Sequence, residues 1–225
     1  MIKAVLFDLD GTLVNSLSDL ANSTNYALKK FGFPTHETEK FKYFVGDGMP
    51  KLIERVLPME HRDADTHAKV LECFMNHYRE HYVDETIVYD GIKKLIRDLK
   101  EKGFKLAVIS NKAQEMALTV TNKLLDDVFD IVCGKQEGYP AKPDPALTLK
   151  VIRELGVLPS ECAFIGDSGM DMAVAKNAKC LPIGVLWGFR EMKELSDYGA
   201  DYVVNSPFEI LQIIGEVNEI QIYNN

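Results

Sequence analysis

The feature that most constrains this chain is an apolar run near its N-terminus that ends in two carboxylates. Residues 3–7 favour a strand, and Asp8 and Asp10 follow them directly. A short apolar run bounded by polar residues and Gly11 predicts a buried strand of a parallel sheet. Ligands bind beyond the carboxyl ends of such strands. Two carboxylates at that edge repel each other, so we expect a cation or a shared proton there.

Composition limits the class of protein. The chain has 225 residues, of which 46% are hydrophobic and 27% charged, enough to bury a full core. A net charge of −8 and a pI of about 5.2 disfavour non-specific binding to nucleic acid or anionic membranes. No apolar stretch suits a membrane span or a signal peptide. The four cysteines form no CxxC pair, so we expect reduced core residues in a cytoplasmic protein, either a monomer or a homodimer.

The order of predicted elements indicates two domains. Residues 15–84 contain several helical patterns and no strand, whereas strands alternate with single helices from residue 85 onward. We therefore predict an α/β core, residues 1–14 and 85–225, with a parallel sheet covered by helices on both faces. Residues 15–84 are predicted to form an inserted all-helical domain, whose first helix begins with a capping box of Ser16 and Asp19. The later strands are predicted at 105–109, 129–133, 162–165, 182–186 and 201–204.

Polar residues cluster at or near the predicted carboxyl edge of this sheet. The clusters are Asp8 with Asp10, Ser110 with Asn111, Lys142, and Asp167 with Asp171. Each cluster alone has a simpler explanation, such as a turn with solvated acids, a helix cap, a solvated lysine or a charge near a helix N-terminus. Their occurrence together favours a single site.

This set of residues suits phosphoryl transfer. A carboxylate can attack phosphorus and form an aspartyl-phosphate, while a second carboxylate protonates the leaving oxygen and later activates water. Ser110, Lys142 and a divalent metal would stabilise the negative charge of the transition state, and Asn111 is expected to bind the substrate phosphate. Oxygen ligands among Asp8, Asp10 and Asp167 favour Mg²⁺. We expect Asp171 to orient either a metal-bound water or Lys142.

The motifs also carry a family resemblance. Four segments occur in order and match the motifs of the haloacid dehalogenase superfamily of phosphohydrolases: Asp8-Leu9-Asp10-Gly11-Thr12-Leu13, Ser110-Asn111, Lys142-Pro143-Asp144-Pro145 and Gly166-Asp167-Ser168-Gly169-Met170-Asp171. Within the superfamily the chain resembles the phosphoglycolate phosphatase group, also through Gly46-Asp47-Gly48 and Val185-Leu186-Trp187-Gly188-Phe189-Arg190.

The resemblance implies a Rossmann-like core in which Asp8 is the nucleophile and Asp10 the general acid/base. It implies Mg²⁺ held by Asp8, by the backbone carbonyl of Asp10 and by Asp167. It also implies that the inserted helical domain is a cap that closes over the active site.

The helical insertion suggests a substrate. Gly46 and Gly48 allow close approach of backbone amides, and Met49-Pro50 begin a helix whose N-terminus favours an anion. A small phosphate ester with a carboxylate, such as 2-phosphoglycolate, would then be bound at both ends. The alternative is that the two glycines only form a turn between helices. No nucleic acid or membrane partner is expected.

Other functions use similar residues. A phosphomutase or a dehalogenase shares the fold, although a dehalogenase needs no leaving-group acid such as Asp10. A receiver-like phospho-acceptor module also uses acids, Mg²⁺, a hydroxyl and a lysine, but it lacks both Asp10 and the cap. Separately, His77-Tyr78-Arg79-Glu80-His81 fits the H-x-x-E-H zinc motif. A solvated helix face explains that segment better, because no third ligand can be identified.

Overall fold

The computed structural model describes residues 1–223, with side chains described as far as Ile220. The chain divides into two compact units. One unit comprises Met1–Val14 and the chain from Val88 onward, and the other is Asn15–Ile87. The helical unit therefore extends to Ile87, beyond the predicted boundary at residue 84.

The strands and helices alternate as the sequence predicts. The strands are β1 (Ala4–Phe7), β2 (Val14–Asn15), β3 (Ile87–Val88), β4 (Lys105–Ala113), β5 (Ile131–Lys135), β6 (Cys162–Gly166), β7 (Leu181–Val185) and β8 (Tyr202–Val204). The α-helices are α1 (Leu17–Lys30), α2 (Phe41–Phe44), α3 (Met49–Val56), α4 (Ala64–His81), α5 (Ile92–Glu101), α6 (Gln114–Leu124), α7 (Ala146–Leu155), α8 (Gly169–Ala178), α9 (Met192–Asp197) and α10 (Pro207–Tyr223). Short 3-10 turns occur at 38–40, 59–61 and 159–161. Within the described residues, no helix is long and apolar enough to cross a membrane.

The α/β unit is built on a six-stranded parallel sheet in the order β5-β4-β1-β6-β7-β8. Successive side chains of a strand point to opposite faces, and all four residues of β1 are fully buried, so helices cover both faces. On one face Leu6 belongs to a core cluster with Val151 of α7 and Val174 of α8. The predicted Rossmann-like fold with an inserted helical segment is confirmed.

The strand register brings the predicted site residues to one level of the sheet. Phe7, the last residue of β1, pairs with Val108 of β4 and with Ile165 of β6. Strand order runs outward from β1 in both directions, which creates the crevice where α/β proteins bind ligands. Asp8 lies at this point, and its backbone N–H donates to Ile165 O at 2.9 Å.

In the helical unit, Asp19 does not serve the predicted capping box. Ser16 is the N-cap of α1, but its side chain accepts no cap hydrogen bond. The buried Asp19 carboxylate instead accepts from the backbone N–H groups of Glu85 and Thr86, both at 2.9 Å, and from Thr86 Oγ1 at 2.6 Å. The capping-box prediction was wrong because the acid satisfies donors of a distant segment, which local spacing cannot reveal.

Several elements differ from the sequence prediction, among them the two-residue strands β2 and β3, which were not predicted. β4 continues to Ala113, whereas the apolar run that predicted it ends at Ile109. The polar residues beyond Ile109 remain in strand conformation, with an irregularity in the pairing to β5 between Ile109 and Ala113. The short helix α9 was not predicted, because its sequence is mostly polar.

Candidate active site

The centre of the site is a buried lysine that joins two carboxylates. Lys142 comes from the loop between β5 and α7, and its Nζ lies 2.7 Å from Asp8 Oδ1 and 2.6 Å from Asp171 Oδ1. The same Nζ donates to Ile109 O at 3.2 Å. An ammonium group has three donors, so these contacts can use all of them. Asp8, Lys142 and Asp171 are therefore held as one unit.

Asn111 holds the backbone of this lysine. Its Oδ1 accepts a hydrogen bond from the Lys142 N–H at 2.9 Å. The sequence predicted Asn111 as a substrate-binding residue, and the contact seen is with the loop that carries Lys142. Asn111 thus links β4 to the loop before α7.

Asp171 lies in the first turn of α8 and also caps that helix. Its Oδ2 accepts from the Ser168 N–H at 3.1 Å and from Ser168 Oγ at 2.6 Å, while its own N–H donates to Ser168 Oγ at 3.4 Å. Of the two roles expected for Asp171, orienting Lys142 is the one that this geometry supports. The capping box fixes the carboxylate, and the carboxylate fixes the lysine.

Asp167 follows β6 and packs against the backbone of Gly11 and Gly188. Its Oδ1 accepts from Thr12 Oγ1 at 3.3 Å and its Oδ2 from the Phe189 N–H at 2.7 Å. A Cβ atom on Gly11 would lie 2.2 Å from Asp167 Oδ2, and one on Gly188 would lie 2.3 Å from Asp167 Cβ. Gly11 also has a φ of +89°, which disfavours any side chain. Both glycines are therefore needed for Asp167 to occupy this position.

The electrostatics of the acids favour a cation. Burial, followed by the charge of Asp171, raises the pKa of Asp8 to about 7, against the opposing effect of Lys142. Burial and the charges of Asp171 and Asp8 raise the pKa of Asp167 well above its ordinary range. Burial alone would lower the pKa of Lys142, but the charges of Asp171 and Asp8 outweigh it and raise the pKa, so the lysine stays protonated.

A divalent metal fits this carboxylate group. Asp8, Asp167 and Asp171 each offer an oxygen within 4.8 Å of the others. One Asp171 oxygen binds the Lys142 ammonium and the other accepts two hydrogen bonds from Ser168, whereas each Asp167 oxygen accepts one hydrogen bond from a neutral group. Asp8 and Asp167 are therefore the carboxylates best suited to bind the ion. Carboxylate oxygens are hard ligands, which match Mg²⁺.

Lys112 is a charged residue of the site that sequence reasoning missed. Its Nζ lies 3.1 Å from Asp10 Oδ1 and 3.2 Å from Asp10 Oδ2. Its backbone N–H donates to Ser110 Oγ at 3.1 Å. Residues two apart in a strand share a face, so Ser110 should have pointed to Lys112 once β4 was extended past Ile109.

The helical unit contains the predicted glycine loop. Gly46 and Gly48 have φ values of +113° and +88°, and Gly48 is the N-cap of α3. Arg55 binds the Asp47 carboxylate and donates to Phe44 O at 2.9 Å, which fixes the loop from α3. The amides at the start of α3 are thus presented by a well-anchored turn.

The histidine pair in α4 has structural contacts. His77 Nδ1 lies 3.0 Å from Ser23 Oγ, and its ring stacks on Tyr26 at 4.1 Å between centroids. His81 Nδ1 lies 2.7 Å from Asp84 Oδ2. In the part of the chain that the structure describes, Asp8, Asp167 and Asp171 form the only group of three metal-ligating residues. The zinc reading of the H-x-x-E-H segment therefore has no support.

Comparison with known proteins places this site in a family. A family model described as haloacid dehalogenase-like hydrolase matches residues 5–185. The chain belongs to this family. Its relatives include a phosphoglycolate phosphatase of Chromobacterium violaceum, 37% identical over 217 residues, which span 95% of this chain and 96% of the relative.

Solved structures of other proteins share the fold. A predicted phosphoglycolate phosphatase from Haemophilus somnus superposes with a TM-score of 0.87 at 29% identity, covering 95% of this chain and 98% of that chain. A β-phosphoglucomutase from Clostridium difficile gives a TM-score of 0.78 at 24% identity, covering 99% and 100%, and shows the fold alone. The family predicted from the motifs is confirmed.

Proposed function

We propose that this haloacid dehalogenase-like phosphatase hydrolyses 2-phosphoglycolate with Mg²⁺, through an aspartyl-phosphate formed on Asp8. The observation that carries the proposal is the buried Asp8–Lys142 pair, 2.7 Å long, at the carboxyl end of the central strand. A carboxylate held beside a permanent cation is suited to attack a phosphate dianion, since the lysine offsets the repulsion between the two anions.

The reaction proceeds in two steps. In the first, an Asp8 oxygen bonds to phosphorus, the bond from phosphorus to the leaving oxygen breaks, and the leaving oxygen takes a proton from Asp10. In the second, a water oxygen bonds to phosphorus and gives a proton to Asp10. The bond to Asp8 then breaks, which releases inorganic phosphate and restores both carboxyl groups.

The remaining residues stabilise charge. The Ser110 hydroxyl binds a phosphoryl oxygen, and the Lys142 ammonium, held by Asp171, offsets the negative charge of the phosphoryl group from its position beside Asp8. Asp8, Asp167 and the Asp10 carbonyl would hold Mg²⁺, which supplies positive charge to the phosphoryl oxygens and is expected to keep several waters. Gly11 and Gly188 maintain the position of Asp167 for that role.

The choice of 2-phosphoglycolate rests on the relatives and on the glycine loop. The Chromobacterium violaceum relative is named a phosphoglycolate phosphatase. We propose that residues 15–87 act as the helical cap of the family, and that amides around Gly46 and Gly48 bind the substrate carboxylate. The loop is open at Gly48, where an added Cβ would meet only Pro50 Cδ at 3.9 Å.

The proposal is tested by a screen of small phosphate esters with Mg²⁺, using wild type and Asp8→Asn. We expect 2-phosphoglycolate to have the highest kcat/KM, and Asp8→Asn to reduce turnover by at least about 10⁴-fold with its fold intact. Wild-type turnover in Asp8→Asn would exclude Asp8 as the nucleophile. No preference for 2-phosphoglycolate in wild type would reject the substrate while leaving the phosphatase chemistry in place.

The same screen separates the competing functions. A phosphomutase would convert a sugar phosphate into an isomer with little release of inorganic phosphate. A receiver-like module would form a stable phosphoprotein without turnover. The shared fold of the β-phosphoglucomutase keeps the first alternative open. The receiver-like module is disfavoured by the Asp10 carboxylate, because the second step of hydrolysis requires it.

A further inference from the structure

Each of the two proposed catalytic carboxylates contacts a different buried lysine. Lys142 contacts Asp8 and Asp171, whereas Lys112 contacts Asp10. The two ammonium groups come from different elements, the loop before α7 and the strand β4. The general acid/base of the proposed reaction therefore has a cationic partner distinct from that of the nucleophile.

Lys112 contacts both oxygens of the Asp10 carboxylate. Nζ lies almost equally far from the two carboxylate oxygens, at 3.1 and 3.2 Å. A cation within hydrogen-bond distance of both oxygens holds the carboxyl group through two contacts instead of one. Asp10 lies just beyond β1 and retains 22% side-chain exposure, so it is the less enclosed partner of this ion pair.

Because Lys112 is buried, it does not serve as a solvent-exposed surface charge. Its side chain has 0% exposure, and an ammonium group moved out of water loses much of its hydration free energy. Replacing such a pair by apolar residues is often neutral or stabilising, so stability alone does not account for it. Lys112 also reaches the phosphate-binding hydroxyl, because its backbone N–H donates to Ser110 Oγ.

We propose that Lys112 is a positioning residue that holds the Asp10 carboxylate in the orientation needed to protonate the leaving oxygen. The inference rests on the proposed function, since it assumes that Asp10 is the general acid/base. Lys112 does not contact the reacting atoms itself. It acts through Asp10, and its backbone fixes the neighbouring Ser110 hydroxyl.

The test uses Lys112→Met and two substrates that differ in their need for a general acid. An alkyl ester such as 2-phosphoglycolate or glycerol 3-phosphate has a poor leaving group, whereas 4-nitrophenyl phosphate leaves as a stable anion. We expect kcat/KM to fall about 10- to 10²-fold for the alkyl ester and less than about threefold for the aryl ester. kcat/KM reports steps up to departure of the leaving group, so hydrolysis of the intermediate does not mask the difference.

Two further variants keep this test decisive. Lys112→Arg retains a cation that can bind both oxygens, so it should recover part of the alkyl-ester activity. Lys193→Met, at an exposed lysine paired with Asp197, should behave as wild type. If Lys112→Met does not fold, as judged by thermal unfolding with Mg²⁺, the Lys112→Arg variant is tested on the same two substrates.

A double-mutant cycle with Asp10→Asn separates the possible outcomes. If Lys112 acts through Asp10, Lys112→Met should change kcat/KM less than about twofold in the Asp10→Asn background. An equal loss on both substrates, or a full additional loss in the double mutant, would overturn the inference. If Asp10→Asn alone has wild-type activity on the alkyl ester, the proposed function fails instead, and the two failures are distinct.

Discussion

Lys142 and Asp8 form a buried ion pair whose Nζ and Oδ1 atoms lie 2.7 Å apart, although the two residues come from opposite halves of the chain. Removing one partner of a buried pair usually leaves an uncompensated charge and costs about 3–5 kcal/mol. Here Lys142 keeps Asp171 as a second partner at 2.6 Å. Substitution of Asp8 is therefore tolerable to the fold, which makes the following experiments practical.

The first prediction concerns stability against pH without Mg²⁺. The pKa of Asp8 rises from its ordinary 3.8 to about 7 on folding, chiefly through burial and the charge of Asp171. Between these values the folded protein holds a proton that the unfolded chain has released, so the free energy of unfolding falls as the pH rises. Asp8→Asn removes this titration. Its stability should fall less across the window, by on the order of a few kcal/mol.

Urea unfolding at about pH 4.5 and about pH 7.5 measures this difference. Asp65→Asn is the control, because it removes one acid whose side chain is 74% exposed. Equal pH slopes for Asp8→Asn and wild type would show that Asp8 titrates no differently in the folded and unfolded states.

The second prediction separates Asp167, a proposed metal ligand, from Asp171, the acid that holds Lys142. Asp167→Asn should raise the Mg²⁺ concentration needed for half-maximal activity and reduce the rise in Tm on adding Mg²⁺. Asp171→Asn should instead lower kcat with little change in Mg²⁺ dependence, because it loosens Lys142. Titrations of activity and Tm with Mg²⁺ test both variants. The same shift in both would mean that Asp171 is also a ligand.

The third prediction compares two glycines with similar backbone. Gly11 and Gly103 have φ values of +89° and +83°, so alanine at either should cost about 1–2 kcal/mol of stability. Only Gly11 lies against Asp167, and an added Cβ at Gly103 meets nothing within 4 Å. Gly11→Ala should therefore lose most activity and Mg²⁺ affinity, while Gly103→Ala stays active. Matching activity losses would mean that backbone strain, rather than the contact with Asp167, matters.

The fourth prediction addresses the substrate carboxylate. Gly48→Ala should raise KM for 2-phosphoglycolate and leave kcat/KM for a neutral-tailed ester of similar size within about twofold, because only the former has an anion for the α3 amides. Gly32→Ala is the matched control: Gly32 has a φ of +75° and open space around it. If selectivity is the same in wild type and Gly48→Ala, the loop is only a turn.

Sequence reasoning identified the acids and Lys142 because the signal was local. An apolar strand followed by a polar residue marks a strand end, and parallel strand ends meet at one edge of the sheet. The same criterion for a strand end explains why Lys112 was not predicted as a site residue. The apolar run ends at Ile109 and therefore predicts that the polar residues after it lie outside the strand, whereas β4 continues to Ala113.

Other features of the site depend on tertiary packing that no spacing reveals. Asn111 binds the Lys142 backbone, and Gly188 makes room for Asp167. These contacts join segments that are far apart in sequence. Asp19 is the opposite case. Its spacing from Ser16 predicts a local helix cap, but its hydrogen-bond partners lie near the C-terminal end of the helical unit.

The division of the chain has a consequence for synthesis. The helical unit is one continuous segment, Asn15–Ile87, so its native contacts are complete once that segment has emerged from the ribosome. The strand β1 is made first, yet Asp8 forms its ion pair with Lys142, and Asp167 accepts its hydrogen bond from Phe189. The nascent chain therefore carries its catalytic carboxylates for most of translation without a working centre, and the late strands β6 and β7 determine when hydrolysis can begin.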